Sequence, residues 1–305
     1  GAIRMQRENV LVLGAASWNR MVYVLALPQG ASATIFDARE VENVGSTGVG
    51  KSMALAAFGC KPVLHCTLGN DDLAWLVQTT CQTRQIDLIV NAQDAPTPHH
   101  LNIMDEKGGR YSLFISNGPA NPKIDEARIV KAIQSAPTIF LSLCASSKKL
   151  LPIVQQAEAE VLLDLHDYDG QNPWYDDFIS CADVIQLSDV ALSDPTRVIK
   201  RLLAGRAQQV VLTKADKGAQ IITDQSIIDV PPCPAKLRDS NGAGDAFSVA
   251  LWHAQRAGLE LSQAGDFAAA AAAFAVESEA LFPRDLSLQE IAKRASITSA
   301  LDERN

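Results

Sequence analysis

Short runs of apolar residues alternate along the chain with segments in which apolar residues recur every three or four positions. The short runs are rich in Val, Leu and Ile, which is typical of parallel strands covered on both faces. The segments between them predict helices. This alternation favours an α/β fold, with a doubly wound, mostly parallel sheet and helices on both faces. The predicted strands are 10–16, 62–68, 138–143, 160–165 and 209–214, and the predicted helices are 51–58, 125–134, 149–159 and 267–280.

Two segments do not follow this alternation. Residues 33–44 have the pattern of extended chain soon after the first predicted strand. Residues 101–116 contain two alternating runs joined by Lys107-Gly108-Gly109, which predicts a β-hairpin. We expect the two segments to form a small β lid on the α/β core of a single unit. The expected boundaries are 17–45 and 86–118 for the lid, and 5–16, 46–85 and 119–305 for the core.

Charge and hydropathy exclude two classes of function. The 305 residues include 27 Lys+Arg and 35 Asp+Glu, a net charge of -8, so binding to nucleic acid through bulk positive charge is excluded. A membrane-spanning helix needs about 20 apolar residues, and the longest unbroken apolar run covers only residues 267–276. The six cysteines have no metal-ligand spacing, and no apolar leader segment is visible. We therefore expect a cytoplasmic protein that acts on a small molecule.

Residues 45–52 match the P-loop pattern G-x-x-x-x-G-K-[ST] at every fixed position. In a P-loop, backbone amides and the lysine hold phosphates while the serine holds Mg²⁺. A P-loop NTPase would also use a strand ending like 161–164, Val-Leu-Leu-Asp. A P-loop follows a buried core strand, however, and residues 38–44 are polar and belong to the predicted lid. The alternative is a glycine-rich turn that begins a helix packed closely on the sheet, and the context favours it.

A second phosphate-binding candidate is the segment 239–245, Asp-Ser-Asn-Gly-Ala-Gly-Asp, which leads directly into a predicted helix. Backbone amides at Gly242, Ala243 and Gly244 can point at an anion, helped by the helix dipole. The carboxylate of Asp245 can then accept a proton from an attacking hydroxyl while the amides stabilise the transferred phosphoryl group. The alternative is a glycine-rich turn with an aspartate cap.

The segment 239–245 resembles the D-[ST]-x-G-A-G-D signature of the ribokinase-like (pfkB) carbohydrate and nucleoside kinases. The resemblance extends along nearly the whole chain. Residues 12–14 resemble the family's opening strand and glycine, 45–48 its substrate loop, 68–71 its G-x-D element and 213–219 the turn that contacts the nucleotide. On this resemblance the P-loop match is a coincidence, and Lys51 is expected to be a surface or helix-start charge.

The resemblance implies phosphorylation of a sugar or nucleoside hydroxyl, with ATP and Mg²⁺ and with a monovalent cation as a further candidate cofactor. It implies that Asp245 is the catalytic base and that the lid closes over the acceptor. Family lids often pair, so a homodimer through the lid is a candidate assembly. The implied site residues are Asn241, Gly242, Ala243 and Gly244 for the anion hole, Asn19, Gly45, Gly48 and Gly50 for the acceptor, Thr213, Ala215, Gly218 and Ser188 for the nucleotide, and Asp189 for the metal through water.

The sequence departs from the family pattern at several of these positions. Asn19 stands where the family usually has Asp, and Gly50 where it usually has Asn. The glutamate of the family's N-x-x-E element is replaced by Ala191, and a glycine of the nucleotide turn by Ala215. The changes concentrate at acceptor and metal positions, so we favour an altered acceptor. The alternative is a non-catalytic relative that binds a nucleotide or metabolite. For the pair His99–His100 we favour a position on the lid surface over contact with the acceptor.

Overall fold

The computed structural model describes residues 8–236 and 242–297. Within them the apolar runs form strands and the intervening amphipathic or Ala-rich segments form helices. The strands are β1 Asn9–Leu13, β2 Ser17–Tyr23, β3 Arg39–Gly45, β4 Lys61–Leu68, β5 Asp87–Ala92, β6 His99–Met104, β7 Arg110–Ser116, β8 Thr138–Leu141, β9 Glu160–Asp164, β10 Val184–Ser188, β11 Gln209–Thr213, β12 Ala219–Ile222 and β13 Ile227–Val230. The helices are α1 Thr47–Ala57, α2 Asp72–Thr83, α3 Glu126–Ser135, α4 Ala145–Gln156, α5 Asp176–Ile179, α6 Pro195–Ala204, α7 Ala243–Arg256, α8 Leu261–Val276 and α9 Leu288–Arg294.

A nine-stranded sheet forms the centre of the molecule, in the order β13-β12-β11-β10-β9-β8-β1-β4-β5. The strands from β11 to β5 are parallel, and β12 and β13 add an antiparallel edge. Each face of the sheet is covered by a separate apolar cluster. Helices α1, α7 and α8 contribute to one cluster, and α3, α4 and α6 to the other. Burial on both faces explains the nearly continuous apolar strands, and the predicted α/β fold class is confirmed.

A second, four-stranded sheet has the order β3-β2-β6-β7. Strand β2 pairs antiparallel with β3 and parallel with β6, so this lid sheet joins two distant parts of the chain. One predicted lid boundary is wrong. Strand β5 lies within the predicted lid segment 86–118, yet it pairs with β4 at the edge of the large sheet. Its apolar residues Ile89 and Val90 pack against the clusters on the two faces of the large sheet, which explains why β5 belongs to the core.

The connections between the two sheets place the lid above the carboxyl ends of the core strands. Only three residues separate the end of β1 from β2, and only Ser46 separates β3 from α1. Helix α1 begins earlier than the predicted residue 51 because Gly48 lets its first turn lie directly on the chain after β1. A Cβ at Gly48 would lie 2.5 Å from the Ala15 carbonyl oxygen. Ligands of open α/β sheets bind at this carboxyl edge.

In residues 8–236 and 242–297, every helix is too short or too polar to cross a bilayer.

Candidate active site

The amino end of α7 forms one wall of the candidate site. Gly242 precedes the helix with φ 83°, a left-handed conformation that favours glycine, and a Cβ there would lie 2.5 Å from the Leu281 carbonyl oxygen. The amide of Ala246 donates to the Gly242 carbonyl at 2.9 Å, so the helix begins at this point. The first amides of a helix have no partner within it and carry partial positive charge. Gly242, Ala243 and Gly244 therefore share a turn suited to an anion, whereas Asn241 and Asp239 lie outside the described residues.

Asp245 lies in the same first turn and is almost completely buried, with 5% of its surface exposed. Its Oδ1 accepts a hydrogen bond from the Lys51 ammonium. Burial raises the pKa of Asp245, and the charges of Lys51 and His166 act against that rise. The predicted base is therefore present beside the predicted anion hole, in a setting where its ionisation depends on its neighbours.

The expectation that Lys51 is a surface or helix-start charge is wrong. Lys51 is completely buried, and its ammonium contacts Asp245 and lies 3.7 Å from Oδ2 of Asp164. Burial acts to lower the pKa of Lys51, but the two carboxylates outweigh it and raise that pKa. The error has a physical cause, because α1 packs along α7 and turns residue 51 inward. Sequence spacing within α1 carries no information about that neighbour.

The same geometry argues against a P-loop at residues 45–52. The segment follows β3, a strand of the lid sheet whose first residues are exposed, and does not follow a buried strand of the large sheet. Lys51 is occupied by two carboxylates. The Ser52 hydroxyl donates to the Gly48 carbonyl at 2.7 Å, within the helix. Neither side chain that a P-loop needs for phosphate and Mg²⁺ is therefore available.

Asp164 ends β9 and is 3% exposed. Its Oδ1 accepts a hydrogen bond from the His166 amide at 2.9 Å, and the His166 ring nitrogen Nδ1 lies 3.8 Å away. Burial raises the pKa of Asp164, but His166 and Lys51 together bring it below its usual value. Asp164 and His166 were not among the predicted site residues. The available signal was position, since an acidic residue at the end of an apolar strand reaches the carboxyl edge of the sheet.

A cleft of about 380 Å³ lies between the lid and the core. Asp245 and His166 line it from the core, and Asn19, His100 and Arg110 are among its lid residues. The preference for a lid-surface position of His100 is therefore wrong. Burial, followed by the nearby His99, lowers the pKa of His100, and its ring packs edge-on against Phe114 with 4.4 Å between centroids. No local sequence pattern singled out Arg110, because only the pairing of β7 with β6 brings it to the cleft.

The four predicted acceptor residues divide into one side chain and three spacers. Asn19 lines the cleft, and the Ser17 hydroxyl donates to its Oδ1 at 2.8 Å. The three glycines lie where a Cβ would collide with a neighbour. At Gly45 it would overlap the Asn19 amide, at Gly48 the Ala15 carbonyl and at Gly50 the Asp245 Oδ2 atom. Their direct contact with an acceptor stays a prediction.

The predicted nucleotide residues continue the carboxyl edge beyond β9. Ser188 and Thr213 are paired at the ends of β10 and β11, and the Asp189 amide donates to the Thr213 carbonyl at 3.0 Å. The turn after β11 contains two left-handed residues, Ala215 with φ 51° and Gly218 with φ 88°. Across residues 8–236 and 242–297 there is no group of three or more His, Cys, Asp or Glu that could hold a metal. Nucleotide and metal contacts stay predictions.

Comparisons with known proteins agree with this architecture. Acarbose 7(IV)-phosphotransferase of Actinoplanes sp. (strain SE50/110) is 26% identical over 276 residues, which is 88% of this chain and 92% of that protein. The structure of the microbiome-derived acarbose kinase Mak1 superposes with a TM-score of 0.86 at 24% identity, covering 95% of this chain and 99% of that one. Ribokinase of Arabidopsis thaliana, complexed with ribose and ATP, superposes with a TM-score of 0.77 at 19% identity, covering 96% and 100%. The family model "pfkB family carbohydrate kinase" matches residues 12–282, and the chain therefore belongs to the pfkB family of carbohydrate kinases.

Proposed function

We propose that the protein transfers the γ-phosphoryl group of ATP to a hydroxyl of a sugar, with Asp245 as the general base. The observation that carries the proposal is the position of Asp245, which lies in the first turn of α7 and lines the cleft under the lid. A carboxylate at this point is adjacent to both an anion-binding helix terminus and a space for the acceptor. The family membership supports a carbohydrate over a nucleoside as acceptor.

In the proposed reaction the acceptor hydroxyl gives its proton to Asp245. The oxygen of the acceptor hydroxyl forms a bond to the γ-phosphorus. The bond from that phosphorus to the oxygen that bridges it to the β-phosphate breaks, and ADP leaves with the electron pair of the broken bond. The amides of Gly242, Ala243 and Gly244, together with the predicted Asn241, stabilise the charge on the transferred group. Preorganised amides are effective here because they need no rearrangement as the charge develops.

The residues present fit a nucleoside triphosphate. The terminus of α7 offers amides to a phosphate, and the left-handed Gly242 forms the turn that begins the helix. Thr213, Ala215, Gly218 and Ser188 would hold the nucleotide. Asp189 would contact Mg²⁺ through water, and the lack of a multi-residue metal cluster in the described ranges suits an ion held mainly by phosphates and water. When bound, the ion would neutralise phosphate charge.

The lid supports an acceptor different from that of the family's usual pattern. Asn19 replaces an aspartate, and its amide both donates and accepts hydrogen bonds. His100 and Phe114 add a paired aromatic surface to the cleft. The names of the two acarbose-phosphorylating relatives make acarbose a first acceptor to test, with ribose as the second.

We also propose a cytoplasmic homodimer joined through the lid. A cytoplasmic location would supply the ATP that the proposed reaction needs. Strand β7 is an edge of the lid sheet, and its side chains Tyr111, Leu113 and Ile115 are exposed apolar residues. Exposed apolar edges are typical of surfaces that pair with another chain. Sedimentation equilibrium would contradict this assembly by finding a monomer at micromolar concentration.

The activity test measures ATP consumption with Mg²⁺ against a panel of sugars, sugar phosphates and nucleosides that includes acarbose and ribose. We expect turnover with a sugar, and a loss of roughly 10²–10⁴-fold in Asp245→Asn, the range typical of removing a general base. Circular dichroism and ATP binding control for folding of the variant. ATP binding without turnover on any acceptor would instead support the non-catalytic relative, an alternative motivated by the Lys51 ammonium that occupies one oxygen of Asp245.

A further inference from the structure

We propose that Lys51 is a positioning residue for Asp245, one that keeps this buried carboxylate ionised and fixed through Oδ1 while leaving Oδ2 for the acceptor hydroxyl. The inference rests on the proposed function, because it assigns a role within the same reaction. It also gives a role to Lys51, the residue of the P-loop-like segment 45–52 that the kinase assignment does not otherwise use.

The titratable groups around Asp245 come from three parts of the chain. Lys51 reaches it from α1, Asp164 from the end of β9, and His166 from the residues after β9. Lys51 is completely buried, and both carboxylates are at least 95% buried. Water therefore does little to screen these charges, and the contacts among them decide which are ionised.

Burial alone would disable Asp245 as a base. Transfer of a carboxylate out of water favours its protonated form, and a protonated carboxyl group is too weak a base to take the proton of the acceptor hydroxyl. Consistently, burial is the largest influence on the pKa of Asp245 and raises it, while the Lys51 ammonium is the largest opposing influence. The pKa of Lys51 is itself raised by the two carboxylates, so the ammonium stays charged.

Two carboxylates share this one ammonium, and the sharing matters after proton transfer. Asp164 Oδ2 lies 3.7 Å from the Lys51 ammonium nitrogen. When Asp245 has accepted the proton and become neutral, Lys51 still has Asp164 as a partner, so no buried charge is left unpaired. Before the transfer, Lys51, Asp164 and ionised Asp245 together carry a net charge of about -1, which preserves the basicity of Asp245.

Gly50 completes the arrangement. A Cβ at this position would overlap Asp245 Oδ2, so only glycine leaves that oxygen uncovered while the neighbouring Lys51 binds Oδ1. The two adjacent residues of α1 therefore act on the two oxygens of one carboxylate, one by contact and the other by lacking a side chain. These two residues are also the Gly-Lys pair that matches the P-loop pattern.

The test compares pH profiles of kcat for the full chain and for Lys51→Met, Lys51→Arg and Asp164→Asn, with Lys61→Met as a control at an exposed lysine on β4. Lys51 stabilises the ionised form of Asp245, so its removal should move the acidic limb of the profile to higher pH by about one unit or more. Lys51→Arg keeps a positive charge beside Asp245, so its acidic limb should lie closer to that of the unaltered chain than the limb of Lys51→Met does. Asp164→Asn should move the acidic limb to lower pH, because the Lys51 ammonium then acts on Asp245 alone. This variant keeps the test decisive if Lys51→Met does not fold.

A uniform loss of kcat at every pH in Lys51→Met would mean a merely structural role and would overturn the proposal. Equal or higher activity of Lys51→Met across the whole range would overturn it too, since Lys51 would then be an obstacle to the base. Circular dichroism and ATP binding establish that each variant is folded before its profile is interpreted.

A second measurement separates this inference from the proposed function. The Asp245 carboxyl resonance is followed by ¹³C NMR in chain labelled at aspartate, with Asp245→Asn used for assignment. We expect the resonance to titrate at higher pH in Lys51→Met than in the unaltered chain. If no acceptor is phosphorylated, the proposed function fails while this titration still tests Lys51. If the resonance titrates at the same pH in both proteins, the role of Lys51 fails whatever the activity.

Discussion

At the scale of single residues, the candidate site depends as much on missing side chains as on those present. Gly45, Gly48 and Gly50 lie within a few residues of one another, and each touches a different part of the site. They hold Asn19, the chain after β1 and Asp245 at distances that a Cβ would not allow. The family resemblance predicts that these positions contact the acceptor, and that stays a prediction. The geometry gives them a further role as spacers that set where neighbouring side chains lie.

Substitution of Gly50 by alanine tests whether this glycine is a spacer that sets the position of Asp245. The added Cβ would overlap Asp245 Oδ2 and displace the carboxylate from the position it holds beside Lys51. A displacement of about 1 Å in a reacting group can cost 10²-fold in rate, so we expect kcat to fall by roughly that factor with ATP binding retained. The control is Gly205→Ala, where the nearest atom to the new Cβ is 3.4 Å away. An unchanged kcat in Gly50→Ala would contradict the spacer role.

At the scale of secondary-structure elements, the sequence predicts those elements whose own residues carry a hydrophobic pattern. The buried strands β1, β4, β8, β9 and β11 were predictable because each is a short apolar run. Strand β5 was assigned to the lid because nothing in its own residues distinguishes a core edge strand from a lid strand. Its place is decided by parallel pairing with β4, a contact between distant segments.

The turn between β11 and β12 gives a prediction at this scale. Gly218 has φ 88°, and a Cβ there would overlap the Val230 carbonyl of β13. An alanine must therefore bear left-handed backbone strain of about 1–2 kcal/mol and a backbone collision as well. We expect Gly218→Ala to lower the free energy of unfolding by more than about 2 kcal/mol, measured by urea denaturation.

The matched variant in the same turn is Ala215→Gly, because Ala215 also has a left-handed backbone, with φ 51°. Glycine relieves that strain but costs about 0.5–1 kcal/mol of chain entropy. The net change should be small and stabilising. Similar destabilisation by both substitutions would show that backbone conformation does not govern this turn.

At the scale of the whole molecule, the sequence resemblance predicts the fold class correctly and draws attention to Asp245, whose role as the base stays a prediction, but it does not predict the electrostatics around that residue. Lys51 and Asp245 are separated by 194 positions in the chain. Their contact exists because α1 and α7 pack side by side on one face of the sheet. A lysine near the start of an Ala-rich helix is ordinarily exposed, so only the assembled core shows that this one is buried.

The packing of α7 in this core also predicts how the molecule responds to acid. His253 is 6% exposed and packs against Phe58, with 5.2 Å between ring centroids. Burial, followed by repulsion from Arg256, lowers the pKa of His253 to about 4. The unfolded chain takes up a proton near its ordinary pKa of about 6.5, whereas the folded chain does not until about pH 4. Stability from this group is therefore complete above pH 6.5 and is lost as pH falls from there toward 4.

We expect His253 to contribute a loss of about 2 kcal/mol in the free energy of unfolding between pH 7 and pH 5. Urea denaturation at the two pH values should show a smaller drop in His253→Leu than in the unaltered chain. The drop should shrink without vanishing, because burial also lowers the pKa of His65. Lys61→Met, at the exposed lysine on β4, serves as the control for a substitution away from the histidines and should keep the full drop. An undiminished drop in His253→Leu would mean that acid destabilises the molecule through other groups, such as the buried carboxylates beside Lys51.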